Sequence, residues 1–171
     1  MYISDLKLVN FRNYSNERVE FNKGINILLG SNAQGKTNLL ESVYYCSKGA
    51  SFKSNSDKSI IKNGEDFFTL DAQIIKRDRR KLIHIKSSKE KTIKINGIES
   101  DKLDDMKNQF EIVYFLPDHL RIVKDGPNLR RELVDEAIIN IRPSFRKLLN
   151  NYNKILRQRN AKLKKKIKSK Y

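Results

Sequence analysis

The stretch that decides the fold is Gly24-Ile25-Asn26-Ile27-Leu28-Leu29-Gly30-Ser31-Asn32-Ala33-Gln34-Gly35-Lys36-Thr37-Asn38-Leu39-Leu40-Glu41. Gly24 opens a run, residues 25–29, that reads as a buried strand, and Leu39, Leu40, Val43 and Tyr44 read as one face of a following helix. Between them, Gly30-Ser31-Asn32-Ala33-Gln34-Gly35-Lys36-Thr37 matches G-x-x-x-x-G-K-[ST]. Phosphate binding requires these residue types. The two glycines let backbone N–H groups curl around phosphate oxygens without a side-chain clash. The helix N-terminus adds a partial positive charge. Lys36 is placed to reach the β- and γ-phosphates, and the Thr37 hydroxyl to ligate Mg²⁺. At average composition the pattern arises in roughly 0.5–1% of chains this long, and its strand and helix flanks lower that further. A nucleotide with Mg²⁺ is the expected ligand.

Outward from the loop, residues 2–21 alternate loosely through Ile3, Leu6, Leu8, Phe11, Val19 and Phe21. They predict two strands around the turn Asn13-Tyr14-Ser15-Asn16. Residues 49–66 are rich in Ser, Asn and Gly and read as loop. Three strand-like runs follow at 68–75, 82–86 and 92–95, with Asn96-Gly97 marking a tight turn. Consecutive strands of this kind imply an antiparallel sheet beside the nucleotide-type βα unit, an α/β class. Residues 112–116 read as another buried strand, stopped by Pro117. The pattern turns helical from Leu129, breaks at Pro143 and resumes from Ser144. In the last helix Leu149, Leu156 and Leu163 recur every seven residues, widened by Phe145, Leu148, Tyr152 and Ile155. No later segment covers that stripe, so it packs back on the domain or awaits a partner. No internal repeat is present.

Composition bounds the class. The chain has 171 residues and a formal net charge of +16. No stretch approaches the roughly 20 apolar residues of a membrane span, and the start lacks the layout of a secretion signal. The single cysteine, Cys46, excludes an internal disulfide framework, and His84 and His119 stand too far apart for a zinc site. A cytoplasmic protein is expected. Residues 157–171 hold eight Lys and Arg and no acid, so the first 156 residues, with 28 against 20, retain +8. A basic body and a basic tail favour a polyanion, and nucleic acid is the commonest one in cytoplasm. For the tail, a solvated helix face fits as well as DNA contact does.

Hydrolysis also needs an apolar strand ending in an Mg²⁺-holding Asp. Asp118 follows the run 112–116, but Pro117 intervenes. The pair Asp135-Glu136 lies in a stretch that reads helical, and Asp71 falls early in an alternating strand. No Leu-Ser-Gly-Gly-type signature occurs.

Further blocks carry a resemblance. Leu6-Lys7-Leu8-Val9-Asn10-Phe11-Arg12-Asn13-Tyr14, the loop with Asn38-Leu39-Leu40-Glu41, and Phe115-Leu116-Pro117 are three of them. Val123-Lys124-Asp125-Gly126-Pro127-Asn128-Leu129-Arg130-Arg131, Asp135, Tyr152, Leu156 to Asn160 and Leu163 complete the set. Together they resemble the RecF family, bacterial DNA replication and repair proteins of the ABC/SMC-like ATPase superfamily. The resemblance implies a P-loop NTPase, an ABC-type ATPase head lobe with an antiparallel β subdomain, over residues 1–127. Residues 128–171 then begin a helical arm. It implies binding of ATP with Mg²⁺ and of DNA, single-stranded or gapped duplex, and an ATP-dependent homodimer. RecO and RecR are the implied partners in gap repair, RecA loading and the SOS response. Arg12 corresponds to the arginine that lies near the nucleotide in related heads, a place a plain surface arginine also fills. Arg130 and Arg131 could touch DNA or pair with acids, and as neighbours they cannot share one helix face.

Two places depart from the family. Pro117-Asp118-His119-Leu120 stands for Pro-Glu-Asp-Leu, and Lys53 stands where arginine is common. Family members are about twice as long and hold the water-activating acid and signature loop beyond this stretch. The chain therefore reads as an amino-terminal fragment that does not hydrolyse ATP alone. Two other readings stay open here. One is a self-sufficient small P-loop NTPase or kinase with Asp118 as magnesium ligand. The other is a basic DNA-binding module without nucleotide.

Overall fold

A computed structural model of the chain describes residues 1–100, 109–120, 126–142 and 144–168. They fall into two compact units, Met1–Tyr114 and Phe115–Tyr171. The first unit is built on period-two alternation. Leu6 and Leu8, then Phe68, Leu70, Ala72 and Ile74, then Ile83 and Ile85 are buried while their neighbours face outward. The corresponding strands are β1 (Tyr2–Phe11), β2 (Tyr14–Glu20), β3 (Phe68–Lys76), β4 (Arg79–Ser87), β5 (Lys91–Ile95) and β6 (Ile98–Glu99). They form one sheet of order β2-β1-β3-β4-β5-β6, antiparallel throughout. The three runs expected within 67–96 are thus β3, β4 and β5. Asn96 and Gly97, at φ 51° and 83°, make the tight turn that pairs Ile95 with Ile98.

Helix α1 (Lys36–Lys48) packs on β1 and β3. Leu39, Tyr45 and Cys46 enter the core, where the rings of Phe11, Tyr45 and Phe68 meet edge to face with centroids 5.4–6.4 Å apart. The buried face differs from the expected one: Leu40 is half exposed, and Glu41 and Ser42 lie inside. Tyr44 instead joins Phe52 and Tyr114 in an aromatic cluster at the margin. The helix is rotated toward Ser42 and Tyr45 because Glu41 has a buried partner, described below.

Three further expectations are corrected. The first hairpin turns at Arg12-Asn13, since Phe11 already pairs with Tyr14, so Tyr14 begins β2 rather than the loop. Residues 25–29 form no strand; they pair with nothing among the described residues, and Ile25, Ile27 and Leu29 are 90%, 75% and 89% exposed. Residues 112–116 likewise form no strand, with Val113 and Phe115 outward. Both runs have strand composition, but a strand is a paired structure, and neither has a neighbour here to bond to.

In the second unit, a 3₁₀ turn spans Pro117–Leu120. Helix α2 (Pro127–Ile141) opens with Pro127 in its first turn, where the missing N–H costs nothing. Helix α3 (Phe145–Lys168) follows; Pro143 itself, like Val123, Lys124, Asp125 and the last three residues, lies outside the described residues. Along α3 the expected stripe is partly covered: Leu148, Tyr152, Ile155 and Leu163 are exposed, while Phe145, Leu149 and Leu156 are half-buried. No helix among the described residues is long and apolar enough to cross a membrane.

Cys46 offers a readout of this core. It is fully buried, and burial raises its thiol pKa well above the ordinary value. At pH 8, alkylation should be about 100-fold slower in the folded chain than in denaturant. Because the folded pKa is raised, the thiol's contribution to stability is intact below the unfolded pKa and is lost as pH climbs past it. Fast labelling of native protein at pH 8 would contradict this placement.

Candidate functional site

The loop Gly30–Gly35 leads into α1 with Gly35 as N-cap in the left-handed region, φ 101°. Ala33 is also left-handed at φ 65°, the alternation that turns successive N–H groups toward one point. No side chain caps the helix, and its first turn contains no acid. The N-terminal N–H groups of α1 therefore have no side-chain acceptor and stand ready for an anion. Lys36 Nζ donates to the carbonyls of Gly30 and Ser31, both at 2.7 Å, and so arches over the loop. Thr37 is exposed in the first turn. A cation over the loop, uncapped amides and an accessible hydroxyl fit a Mg²⁺-bound polyphosphate.

The β1–β2 hairpin braces this loop. Tyr14 Oη donates to Gly35 O at 3.2 Å, and Asn38 Nδ2 donates to Asn13 Oδ1 at 2.8 Å. Burial, with Glu17 adding to it, raises the Tyr14 pKa, so the phenol remains a donor through neutral pH. A Cβ on Gly35 would stand 2.7 Å from Asn13 Nδ2 and 3.0 Å from Tyr14 Oη. The left-handed φ favours glycine there, and a Cβ would also displace the ends of the Asn13 and Tyr14 side chains.

Arg12, expected near the nucleotide, sits at the hairpin tip beside this loop with its guanidinium turned onto a carboxylate. Nη2 lies 2.6 Å from Glu41 Oε1, Nε donates to Oε2 at 3.0 Å, and Nη1 donates to Ser59 O at 2.7 Å. The Glu41 side chain has no exposure. It also accepts from Ser51 Oγ at 2.5 Å and has Lys53 Nζ at 3.7 Å. Lys53 Nζ in turn donates to Asn38 Oδ1 at 2.8 Å. The network joins the hairpin tip, the first turns of α1 and the loop 51–59. Beside it lies a cleft of about 470 Å³ lined by Arg12, Asn13, Asn38, Ser59, Ile61, Lys62 and Asn63.

Glu41, Ser51, Asn13 and Asn38 carry this arrangement, and the sequence does not mark them as site residues. The signal for Glu41 was a charged residue set four before Tyr45, in register with the buried face of α1. The acids weighed as magnesium ligands lie elsewhere. Asp71 faces the open side of the sheet, its Oδ1 2.6 Å from His84 Nδ1. Asp118 falls in the 3₁₀ turn, not at a strand end, and Asp135 lies in α2. Arg130 and Arg131 are both exposed on α2, and Arg131 reaches Asn128 Oδ1 at 3.4 Å.

This geometry meets its counterparts in comparisons with known proteins. The AAA ATPase domain matches across residues 1–171, so the chain belongs to that family of ATPase domains. Its likeness within the family is to RecF. The DNA replication and repair protein RecF of Clostridium acetobutylicum is 44% identical over 97% of this chain and 46% of its own length. A solved structure of the recombination mediator protein RecF-ATP in the RecFOR pathway superposes with TM-score 0.76 at 34% identity. It covers 96% of this chain and 46% of its own. A second, of RecF-ATPrS, gives TM-score 0.83 at 34% identity, over 96% and 45% of the two chains. The chain spans about half the length of the curated relatives it matches. Both the RecF resemblance and the P-loop ATPase fold read from the sequence therefore hold.

Two substitutions test the geometry. Gly35→Ala should detach the hairpin from the loop and reduce nucleotide affinity at least tenfold, as seen by titration calorimetry, because the neighbouring atoms must move. Arg12→Ala leaves a fully buried carboxylate without its bidentate partner and should lower unfolding stability by about 3–5 kcal/mol in urea. Arg12→Lys should recover only part of that loss, since an ammonium cannot hold both oxygens and Ser59 O in one plane.

Proposed function

We propose that this chain is the ATP- and DNA-binding amino-terminal portion of a RecF-type ATPase of recombinational DNA repair. The observation that carries the reading is the phosphate loop: a left-handed, glycine-bounded turn under Lys36, leading into an uncapped helix N-terminus. In this reading the backbone amides of Gly30–Gly35 and Lys36 hold the β- and γ-phosphates. Thr37 supplies a hydroxyl ligand to Mg²⁺, and Arg12 stands beside the loop, aimed by Glu41. The cleft lined by Asn38, Ile61 and Asn63 has the room and mixed polarity to take the nucleoside. The relatives' printed role in replication and repair and the excess of Lys and Arg support DNA as the polyanion.

The same reading extends to the whole protein. It acts in cytoplasm, dimerises by sandwiching ATP between heads, and works with RecO and RecR to load RecA at gaps. Residues 1–127 form the head lobe and 128–171 begin the arm. The exposed side chains of Ile25, Ile27, Leu29, Val113 and Phe115 and the exposed part of the α3 stripe then correspond to surfaces that a complete head and arm would cover. Hydrolysis by this stretch alone is negligible, since no Asp-terminated strand occurs among the described residues.

Titration calorimetry with Mg·ATP tests the reading. Saturable binding should be abolished by Lys36→Ala and weakened by Thr37→Ala chiefly when Mg²⁺ is present. Equal affinity in Lys36→Ala would overturn nucleotide binding at this loop. In a phosphate-release assay the 171-residue chain should stay at background; steady release that vanishes in Lys36→Ala would defeat the claim of negligible hydrolysis.

A further inference from the structure

The tip of the β3–β4 hairpin, residues 76–81, carries Lys76, Arg77, Arg79, Arg80 and Lys81 against a single acid, Asp78. Lys81 donates to Gln109 at 2.7 Å. The side chains of Lys76, Arg77, Arg79 and Arg80 are exposed and make no hydrogen bond or ion pair among the described residues. Two other cations of the sheet region are ion-paired: Arg18 meets Asp5 at 2.6 Å, and Lys91 meets Asp57 at 2.7 Å.

The hairpin holds its charges against local preference. Lys76 pairs directly with Arg79, a like-charged cross-strand pair that opposes the sheet. Arg77 and Asp78 sit at φ 48° and 61°, the conformation that Asn96-Gly97 adopts without strain in the next tight turn of the same sheet. An arginine in that position is strained and makes no hydrogen bond or ion pair among the described residues, which points to a contact outside the chain.

The position matters as well. β1 aligns Tyr2 with Ile75 at the hairpin end, while Phe11, nine residues on, ends at the phosphate loop. The two sites are therefore about 30 Å apart along one rigid strand.

We propose that this hairpin is a duplex-DNA contact, in which Lys76, Arg77, Arg79 and Arg80 grip the phosphodiester backbone. The proposal rests on the reading of the chain as a DNA-binding protein and assigns the surface. A two-stranded ribbon fits a major groove about 12 Å wide. Guanidinium groups match phosphate oxygens in bidentate fashion. No aromatic residue lies within 76–81 to stack unpaired bases, which favours duplex over single strand.

The test is fluorescence anisotropy on the 171-residue chain with a labelled duplex and a single strand of equal length, across a salt series. K76Q/R77Q/R79Q/R80Q should weaken duplex binding at least about tenfold and flatten the log–log salt dependence by about 3, with Mg·ATP affinity unchanged. R157Q/R159Q/K162Q/K164Q, removing equal charge from α3, should lose less. R77N/D78G keeps the net charge and relieves the turn, so it should raise the melting temperature while weakening duplex binding. A hairpin variant with parental affinity and slope would overturn the proposal, as would a loss no greater than that of the α3 variant. So would tighter binding of single strand than of duplex, or hairpin-dependent capture by phosphatidylserine vesicles without hairpin-dependent DNA binding. If the parent chain binds no duplex, the proposal and the DNA part of the function fail together, whereas retained Mg·ATP binding leaves the nucleotide part standing.

Discussion

The buried ion pair of Arg12 with Glu41 is the constraint on which the arrangement around the loop depends. A carboxylate with no solvent exposure is tolerated only when its oxygens are fully engaged, and here Arg12, Ser51 and Lys53 engage both. Arg12 must therefore point inward from the hairpin tip, which explains its left-handed φ of 54°. The turn is thereby pulled to Arg12-Asn13, and Asn13 and Tyr14 are delivered onto Gly35. The same pair fixes the rotation of α1, since Glu41 must lie inward and Ser42 and Tyr45 follow it into the core. Loop geometry, helix register and hairpin turn are three consequences of one buried charge.

The neutralised pair also leaves the loop electropositive. Glu41 is the acid of the network and is shared by Arg12 and Lys53, so that cluster keeps one net positive charge, which with Lys36 lies next to uncapped helix amides. An acid in the first turn of α1 would have cancelled this field; none is there. The family likeness gives such a site its natural ligand, and the geometry explains how this chain's residues would present it.

The sequence disclosed the parts whose signal is local. Alternation placed β3, β4 and β5, Asn96-Gly97 placed the turn after them, and the glycine spacing placed the left-handed turn that leads into α1. It misplaced what depends on distant partners. Residues 25–29 have the composition of a central strand, yet composition says nothing about whether a neighbouring strand is within reach, and here none pairs with them. The first turn was read from Asn13 to Asn16 because those residue types favour turns. The real turn uses Arg12, which only its contact with Glu41, twenty-nine positions away, makes favourable. Glu41 is not legible for a related reason: within Leu39-Leu40-Glu41-Ser42 the apolar neighbours suggest a different face, and only the partner Arg12 makes burial of the acid favourable.

The charge distribution has a physical logic that the net value of +16 conceals. At the loop end of β1, cations are few, partly buried and backed by backbone amides, so they favour a compact anion held at fixed geometry. At the other end, Lys76, Arg77, Arg79 and Arg80 are exposed, mutually repelling and unpaired among the described residues, so they favour an extended anion whose binding relieves that repulsion. Salt screens the second kind strongly and the first much less. One sheet thus separates two electrostatic environments by its own length, which allows a nucleotide and a polyanion to bind without competing for the same charges.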